Sequence, residues 1–155
     1  MPNKATVEFR RLTDRDIYQL EEFFLEVKRD QLDEFFHPHQ FNKATAKHIS
    51  EYSGEDFYCA AWRGSTIVGY GMLRGWDEGY KTPTLGVVVS NNQQGKGLGQ
   101  LLTEFLIKQA RCMGAKSIRL KVYTKNTPAH RLYKKLGFKF EPFGPGEQLG
   151  HILLE

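Results

Sequence analysis

Hydrophobic and polar positions along the chain follow two different periods, which predicts a mixture of strands and helices. Apolar residues at every second position, or in short runs, indicate strands, whereas apolar residues every three or four positions indicate helices. The most regular helical face begins at Leu98 and ends before Gly114. The pattern predicts strands over residues 6–12, 56–63, 66–76, 83–90, 117–124, 138–143 and 150–155, and helices over about 17–28, 43–52, 98–113 and 127–136.

Three local signals mark the ends of these elements. Thr13, with Asp16 three residues later, is typical of a helix start. The dipeptide Gly64–Ser65 fits a two-residue hairpin turn between the second and third strands. Thr127 and Pro128 match the residue types preferred at the N-cap and first position of a helix. Because strands follow one another in the middle of the chain and then alternate with helices, we expect an α/β or α+β fold with a mixed sheet.

Length and charge narrow the class of protein. A chain of 155 residues suits one domain, so we expect a single domain over residues 1–155. The 22 basic and 18 acidic residues are interleaved with a formal net charge of +4, which favours a small anionic ligand over nucleic acid. No apolar run has the length of a signal peptide or a membrane span, so we expect a cytoplasmic protein with no membrane partner. Cys59 and Cys112 lie far apart and indicate neither a zinc site nor a disulfide.

Three glycines at alternate positions, Gly95, Gly97 and Gly99, join a strand to the most regular helix. A helix N-terminus presents free backbone N–H groups, and glycines let an anion such as a pyrophosphate reach them. The alternative is that the glycines only supply the backbone angles of a tight turn. A Walker loop is excluded because Gly97 follows Lys96, and a dinucleotide fingerprint is excluded because Gln100 occupies the place of its third glycine.

Two motifs in this region resemble those of the GCN5-related N-acetyltransferases (GNAT), which transfer an acetyl group from acetyl-CoA to an amine. The family's Q/R-x-x-G-x-G/A signature after a strand is matched by Gln94, Gly97 and Gly99. The strand before it is similar to the family's fourth strand, although Asn91 replaces a proline often found there. The second motif, N-x-x-A-x-x-x-Y-x-x-x-G-F, is matched one helix and one strand later by Asn126, Ala129, Tyr133, Gly137 and Phe138.

The resemblance implies a fold and a cofactor site. The expected fold is a mixed, mostly antiparallel sheet of about six to seven strands, flanked by about four helices, with a splayed strand pair at the cofactor cleft. The cofactor is expected to be acetyl-CoA, and Lys96, Arg131, Lys134 and Lys135 are candidates for its 3′-phosphate or, alternatively, solvated surface charges. The implied cofactor-binding residues are Val87, Val88, Val89, Gln94, Gly95, Lys96, Gly97, Leu98, Gly99, Gln100, Asn126, Ala129 and Tyr133.

The resemblance also implies a direct acetyl transfer and two candidate catalytic residues. Tyr133 would donate the proton that the departing thiolate takes up, and Asn126 would contact the pantetheine or substrate region. Because Tyr133 shares an apolar helix face with Leu132 and Leu136, a purely packing role is the alternative. A noncatalytic acyl-CoA-binding or sensor domain of the same fold is the rival function, because a fold does not guarantee an activity.

The general base and the acceptor stay open at this point. The predicted strand over 83–90 has no acidic residue, so the base candidates are His37, His39, Asp77, Glu78 or a water molecule. The two histidines lack a third ligand nearby in sequence, which argues against a metal. We expect the acceptor, a small-molecule amine or an amino group on a larger molecule, to enter between residues 35–41 and 75–80, and a homodimer is one open arrangement. The candidate acceptor-site residues are His37, His39, Trp76, Asp77, Glu78 and Tyr80, with Phe35 and Phe36 as further walls.

Overall fold

The protein is described by a computed structural model over residues 6–154, which contain one seven-stranded sheet and four α-helices. The strands are β1 (Val7–Arg11), β2 (Phe57–Arg63), β3 (Thr66–Arg74), β4 (Thr84–Val89), β5 (Ser117–Tyr123), β6 (Lys139–Pro142) and β7 (Glu147–Leu153). The helices are α1 (Ile17–Arg29), α2 (Lys43–Ser50), α3 (Leu98–Cys112) and α4 (Thr127–Lys135).

The strands lie in the order β1-β2-β3-β4-β5-β7-β6. Every neighbouring pair is antiparallel except β4 and β5, which run parallel and are paired only at Thr84 and Arg119. Beyond that pair the two strands diverge. The mixed, mostly antiparallel sheet with four helices confirms the predicted fold class.

Helices cover the sheet on both faces. On one face α1 and α2 pack on β2, β3 and the Val88 side chain of β4, and on the other face α3 and α4 pack on β2 to β5. Helix α3 lies close to β3 because Gly71 has no side chain; a Cβ there would be 2.8 Å from Leu106 Cδ1. Most of the apolar face predicted from Leu98 onward is the face that α3 buries against the sheet, but Leu101, which the same pattern includes, is exposed.

The predicted ends of several elements need correction. Asn126, not Thr127, is the N-cap of α4. Strand β7 begins at Glu147, three residues before the predicted strand, because residues 147–149 pair with β5 although they show no local alternation. Helix α2 ends at Ser50 rather than near residue 52. Residues 6 and 154, which the pattern includes in the first and last predicted strands, are not part of a strand. Glu155, the predicted end of the last strand, lies outside the described residues.

The local signals at the other ends are confirmed. Thr13 and Asp16 form a reciprocal capping box around a short 3-10 turn, Asp14–Asp16, that leads into α1. Arg63 pairs with Thr66 across the hairpin turn, where Gly64 has a φ of 64°. Within residues 6–154, no helix is both long and apolar enough to cross a membrane.

Replacing Leu106 with alanine tests the packing of α3 on the sheet. Leu106 is fully buried, so we expect the cavity to lower the free energy of unfolding by about 2–5 kcal/mol. Leu101→Ala on the same helix is the matched control, because Leu101 is 52% exposed and its loss should cost far less. Urea denaturation of both variants measures the difference, and equal losses would contradict this packing.

Candidate active site

A cleft of about 930 Å³ opens where β4 and β5 diverge. Its walls come from the segment between α1 and α2, strand β3 and its connection to β4, strands β4 and β5, the loop before α3 with the first turn of that helix, α4, and Glu147 of β7. The long cleft therefore joins the two regions in which the sequence predicts a cofactor site and an acceptor site.

Every second residue of strand β4 directs its backbone N–H and C=O groups towards this cleft. The Pro83 carbonyl oxygen accepts a hydrogen bond from the Arg119 N–H at 3.0 Å, and at the other end the Ser90 N–H donates to Val68 O in β3 at 3.0 Å. Since backbone groups alternate in direction along a strand, the odd-numbered residues face the gap and the even-numbered residues face β3. Val87 therefore presents its backbone N–H and C=O to the cleft, whereas the backbone of Val88 pairs towards Tyr70.

The loop before α3 is a tight turn held against the end of β4. Gln94 (φ −63°, ψ 138°) and Gly95 (φ 73°) form a type II turn, closed by the Lys96 N–H donating to Gln93 O at 3.3 Å. The Gln94 side-chain amide donates to Val89 O at 3.2 Å, so the Gln94 side chain anchors the loop. Gly97, with a φ of 84°, is the N-cap of α3.

This turn leaves a row of backbone amides without acceptors. Within residues 6–154, no group accepts a hydrogen bond from the backbone N–H of Gly95, Gly97, Leu98, Gly99 or Gln100. Gly99 has an ordinary helical φ, and the nearest heavy atom to a Cβ there would be Leu132 Cδ2 at 3.8 Å. Neither backbone angle nor packing requires glycine at position 99, so the open space in front of these amides suits a bound anion.

Tyr133 of α4 and the N-cap residue Asn126, both from the second motif, face the same cleft. Tyr133 is 9% exposed, its ring packs against Phe138, and burial raises the pKa of its hydroxyl to about 12. Within the described chain, no residue forms a hydrogen bond with that hydroxyl. Asn126 lines the cleft half-buried, and its side chain does not cap α4, so the amide is available to a ligand.

The predicted acceptor side of the cleft is lined by His37, Glu78 and Tyr80. His37 Nε2 lies 3.0 Å from Glu34 O, and because a carbonyl only accepts, this nitrogen carries the proton. In neutral His37 the other nitrogen, Nδ1, is therefore free to accept a proton. Phe36 packs over β4, where a Cβ on Gly86 would be 2.7 Å from Phe36 Cε1.

Three predicted acceptor-site residues lie outside the cleft lining. His39 packs beside Phe24 and Phe41, and its ring nitrogens hydrogen-bond Gln40 O and the Tyr70 hydroxyl, each at 2.9 Å. The Asp77 carboxylate accepts hydrogen bonds from the Tyr52 hydroxyl and, at 2.8 Å, from the Glu55 N–H. Trp76 packs against the core on the α3 face. These side chains support the walls of the site rather than forming them.

The predicted cofactor residues divide in a similar way. Lys96 and Leu98 do not line the cleft: Lys96 is exposed, and the Leu98 side chain is in the core beneath α3, leaving only its backbone N–H for a ligand. The other predicted cofactor residues all line it, namely Val87, Val88, Val89, Gln94, Gly95, Gly97, Gly99, Gln100, Asn126, Ala129 and Tyr133.

Several cleft residues were missed by the sequence analysis: Arg74, Thr84, Arg119, Lys121 and Tyr123. Arg119, Lys121 and Tyr123 could have been predicted to share one face of β5. They alternate with the buried residues Ile118, Leu120 and Val122. Their position in the cleft depends on which strand lies beside β5, which alternation does not reveal. Within residues 6–154, no group of three His, Cys, Asp or Glu side chains could hold a metal ion.

Comparison with known proteins adds a family match to this geometry. The profile of the Acetyltransferase (GNAT) family matches residues 17–138. Mycothiol acetyltransferase of Catenulispora acidiphila is 35% identical over 89 residues, a match that covers 54% of this chain but only 28% of that protein. Among solved structures, the GNAT domain of S. lividans PAT superposes with a TM-score of 0.82 at 19% identity, covering 96% of this chain and 90% of that one. PaiA N-acetyltransferase from Thermoplasma acidophilum, solved with coenzyme A, gives 0.78 at 19% identity, covering 96% and 99%.

Replacing His39 with glutamine tests whether this buried histidine stabilises the segment between α1 and α2. Burial lowers the pKa of His39 below its ordinary value of 6.5, so the unfolded chain binds the proton more readily. The stability that depends on neutral His39 is therefore present above about pH 6.5 and is lost as the pH falls below it. We expect the free energy of unfolding, measured by urea denaturation between about pH 7.5 and 5.5, to fall less with decreasing pH in His39→Gln than in the wild-type protein. An unchanged pH dependence would contradict the role of His39.

Proposed function

The chain belongs to the GNAT family of acetyltransferases, and on that premise we propose that it is an N-acetyltransferase that uses acetyl-CoA to acetylate a primary amine by direct transfer. The observation that carries the proposal is that one cleft joins a row of free backbone amides to the buried hydroxyl of Tyr133. The free amides suit a phosphate-bearing cofactor, and the Tyr133 hydroxyl suits proton donation.

The cofactor side of the cleft fits coenzyme A. The amides of Gly95, Gly97 and Gly99 would bind its pyrophosphate, and the open side chain position of Gly99 would leave room for it. The backbone of Val87 would hydrogen-bond the amide-containing pantetheine arm as a neighbouring strand does. Acetyl-CoA, when bound, supplies an acetyl thioester and leaves as the free thiol. The complex of PaiA N-acetyltransferase with coenzyme A supports this assignment.

Tyr133 is the proposed general acid. The hydroxyl, whose pKa burial raises to about 12, is protonated at neutral pH, and its position in the cleft lining is what suits it to donate that proton to the departing sulfur. The neutral amine forms the C–N bond as the C–S bond breaks; its nitrogen gives one proton to a base, Tyr133 gives one to the sulfur, and exchange with solvent returns the base and Tyr133 to their starting states. The Val87 N–H is the proposed donor to the carbonyl oxygen as negative charge develops on it.

His37 is the proposed proton acceptor for the amine. Its Nδ1 is free because Nε2 donates to Glu34 O, and the ring lines the acceptor side of the cleft. The exposed Glu78 carboxylate, acting directly or through water, is the alternative. His39 and Asp77 do not fit the role because each is engaged outside the cleft lining.

Replacing Gly99 with glutamate tests the cofactor site. The added carboxylate would occupy the open space before the free amides and repel a phosphate, so we expect coenzyme A affinity to fall at least about tenfold in calorimetry. Gly99→Ala is the matched control, because the helical backbone accepts alanine and a Cβ makes only ordinary contact. Undiminished affinity in folded Gly99→Glu would refute the assignment.

Replacing Tyr133 with phenylalanine tests the reaction. Wild-type protein should consume acetyl-CoA with at least one compound in a panel of primary amines, measured as thiol release and acetylamine formation. Tyr133→Phe keeps the ring packing against Phe138, so coenzyme A affinity should stay constant while kcat falls about 100-fold. Coenzyme A binding without turnover on any amine would instead indicate the noncatalytic function, and an unchanged kcat would assign the acid to another group.

A further inference from the structure

Three polar side chains form a row across the acceptor side of the sheet. Thr84 of β4 pairs with Arg74 of β3 on one side and with Arg119 of β5 on the other. Paired residues point to the same face of a sheet, and this face is opposite α3, because Leu73, Leu85 and Ile118 belong to the α3-side core. Neighbouring strands lie about 4.8 Å apart, so the two arginines flank Thr84 with about 10 Å between their backbones.

These arginines line the cleft without an ion-pair partner. Within residues 6–154, no carboxylate oxygen lies within 4.0 Å of the charged nitrogens of Arg74, Arg119 or the neighbouring Lys121. Arg119 Nε is buried and has no hydrogen-bond partner. Arg74 Nη1 donates a hydrogen bond to Pro38 O at 2.7 Å, which fixes the Arg74 guanidinium beside the segment between α1 and α2. A buried guanidinium N–H without an acceptor is costly, and an anionic ligand would supply one.

Acidic side chains also line the cleft, but they do not neutralise this row. Glu147 pairs with Tyr123, four residues along β5 from Arg119, which corresponds to about 13 Å. Glu34 is exposed on the segment between α1 and α2, and within the described residues its carboxylate forms no ion pair. Glu78 is exposed on the β3–β4 connection and, among the residues that the structure describes, forms no ion pair. Within residues 6–154, the positive charge of the arginine row is therefore not compensated by an ion pair.

We propose that the acceptor amine carries an anionic group, a carboxylate or a phosphate, that binds Arg119 with help from Arg74 and Thr84. This inference rests on the proposed N-acetyltransferase function and specifies its acceptor class. Thr84 lies three residues before Val87, which corresponds to about 10 Å along the strand, so the acceptor would have to span a distance of that order between its anionic group and its amine. Short peptides, ω-amino acids and aminoalkyl phosphates have such a separation or can approach it.

Matched acceptors test this specificity. The carboxylate arm compares glycine peptides of two to four residues with their C-terminal amides, and the phosphate arm compares aminoalkyl phosphates with the corresponding amino alcohols. We expect wild-type kcat/KM to favour the anionic member of at least one arm at least about tenfold, mainly through KM, because bidentate guanidinium contacts are strong. The arm with the larger preference identifies the anion.

Three variants connect this preference to Arg119. Arg119→Gln should abolish the discrimination, raising KM for the anionic acceptor while leaving KM for the neutral one nearly unchanged, and Arg119→Lys should restore part of it. Arg111→Gln is the control, since it removes the same charge at an exposed position of α3 outside the cleft lining. A wild-type enzyme without preference, or an Arg119→Gln variant that loses activity equally on both members, would overturn the inference.

Failure of the proposed function is distinguishable from failure of this inference. If no amine is acetylated, calorimetric titration of the same anionic and neutral compounds into the protein still reports on the subsite. Selective binding of the anionic compounds that Arg119→Gln removes and Arg111→Gln retains would support the subsite without catalysis. Equal binding of both members, or no binding of either, would overturn it.

Discussion

The single backbone pairing between β4 and β5 is the constraint on which the rest of the site depends. The sheet is continuous at Thr84 and Arg119, and beyond them the parallel strands separate while β4 stays paired to β3. A strand in this position carries backbone donors and acceptors that its neighbour no longer satisfies. The cleft therefore has a polar edge in its interior, and the Gln94 side chain occupies the Val89 carbonyl at one end of that edge.

The loop and helix that follow β4 extend the same unsatisfied backbone. The turn at Gly95 and the left-handed Gly97 direct the start of α3 towards the cleft, where consecutive amides lack acceptors. Burial of α3 along Leu102 and Leu106 holds that helix N-terminus in place. The packing of α3 in the apolar core thus fixes the direction in which the free N–H groups at its N-terminus point into the polar cleft.

The proposed acceptor side depends on hydrogen bonds that hold its irregular segments against the sheet. His39 bonded to Tyr70, and Arg74 bonded to Pro38 O, attach the segment between α1 and α2 to the sheet. The Asp56 carboxylate accepts hydrogen bonds from the backbone N–H groups of Gly75 and Trp76, which shapes the opposite wall. The cleft can therefore present His37 and Glu78 on irregular segments, because buried polar contacts behind them restrict their positions.

Local sequence determined the periods of the strands and helices, the glycine turn and the motif that includes Tyr133, because each depends on residues a few positions apart. It could not separate His37 from His39, since two histidines in one irregular segment differ only in which packs against Tyr70, a residue of β3. It also missed Arg119, whose alternation in β5 indicates a face but not the neighbouring strand. Only the tertiary structure, by pairing Arg119 with Thr84 and Thr84 with Arg74, decided that distant basic residues share one cleft, because strand order arises from packing across the whole sheet.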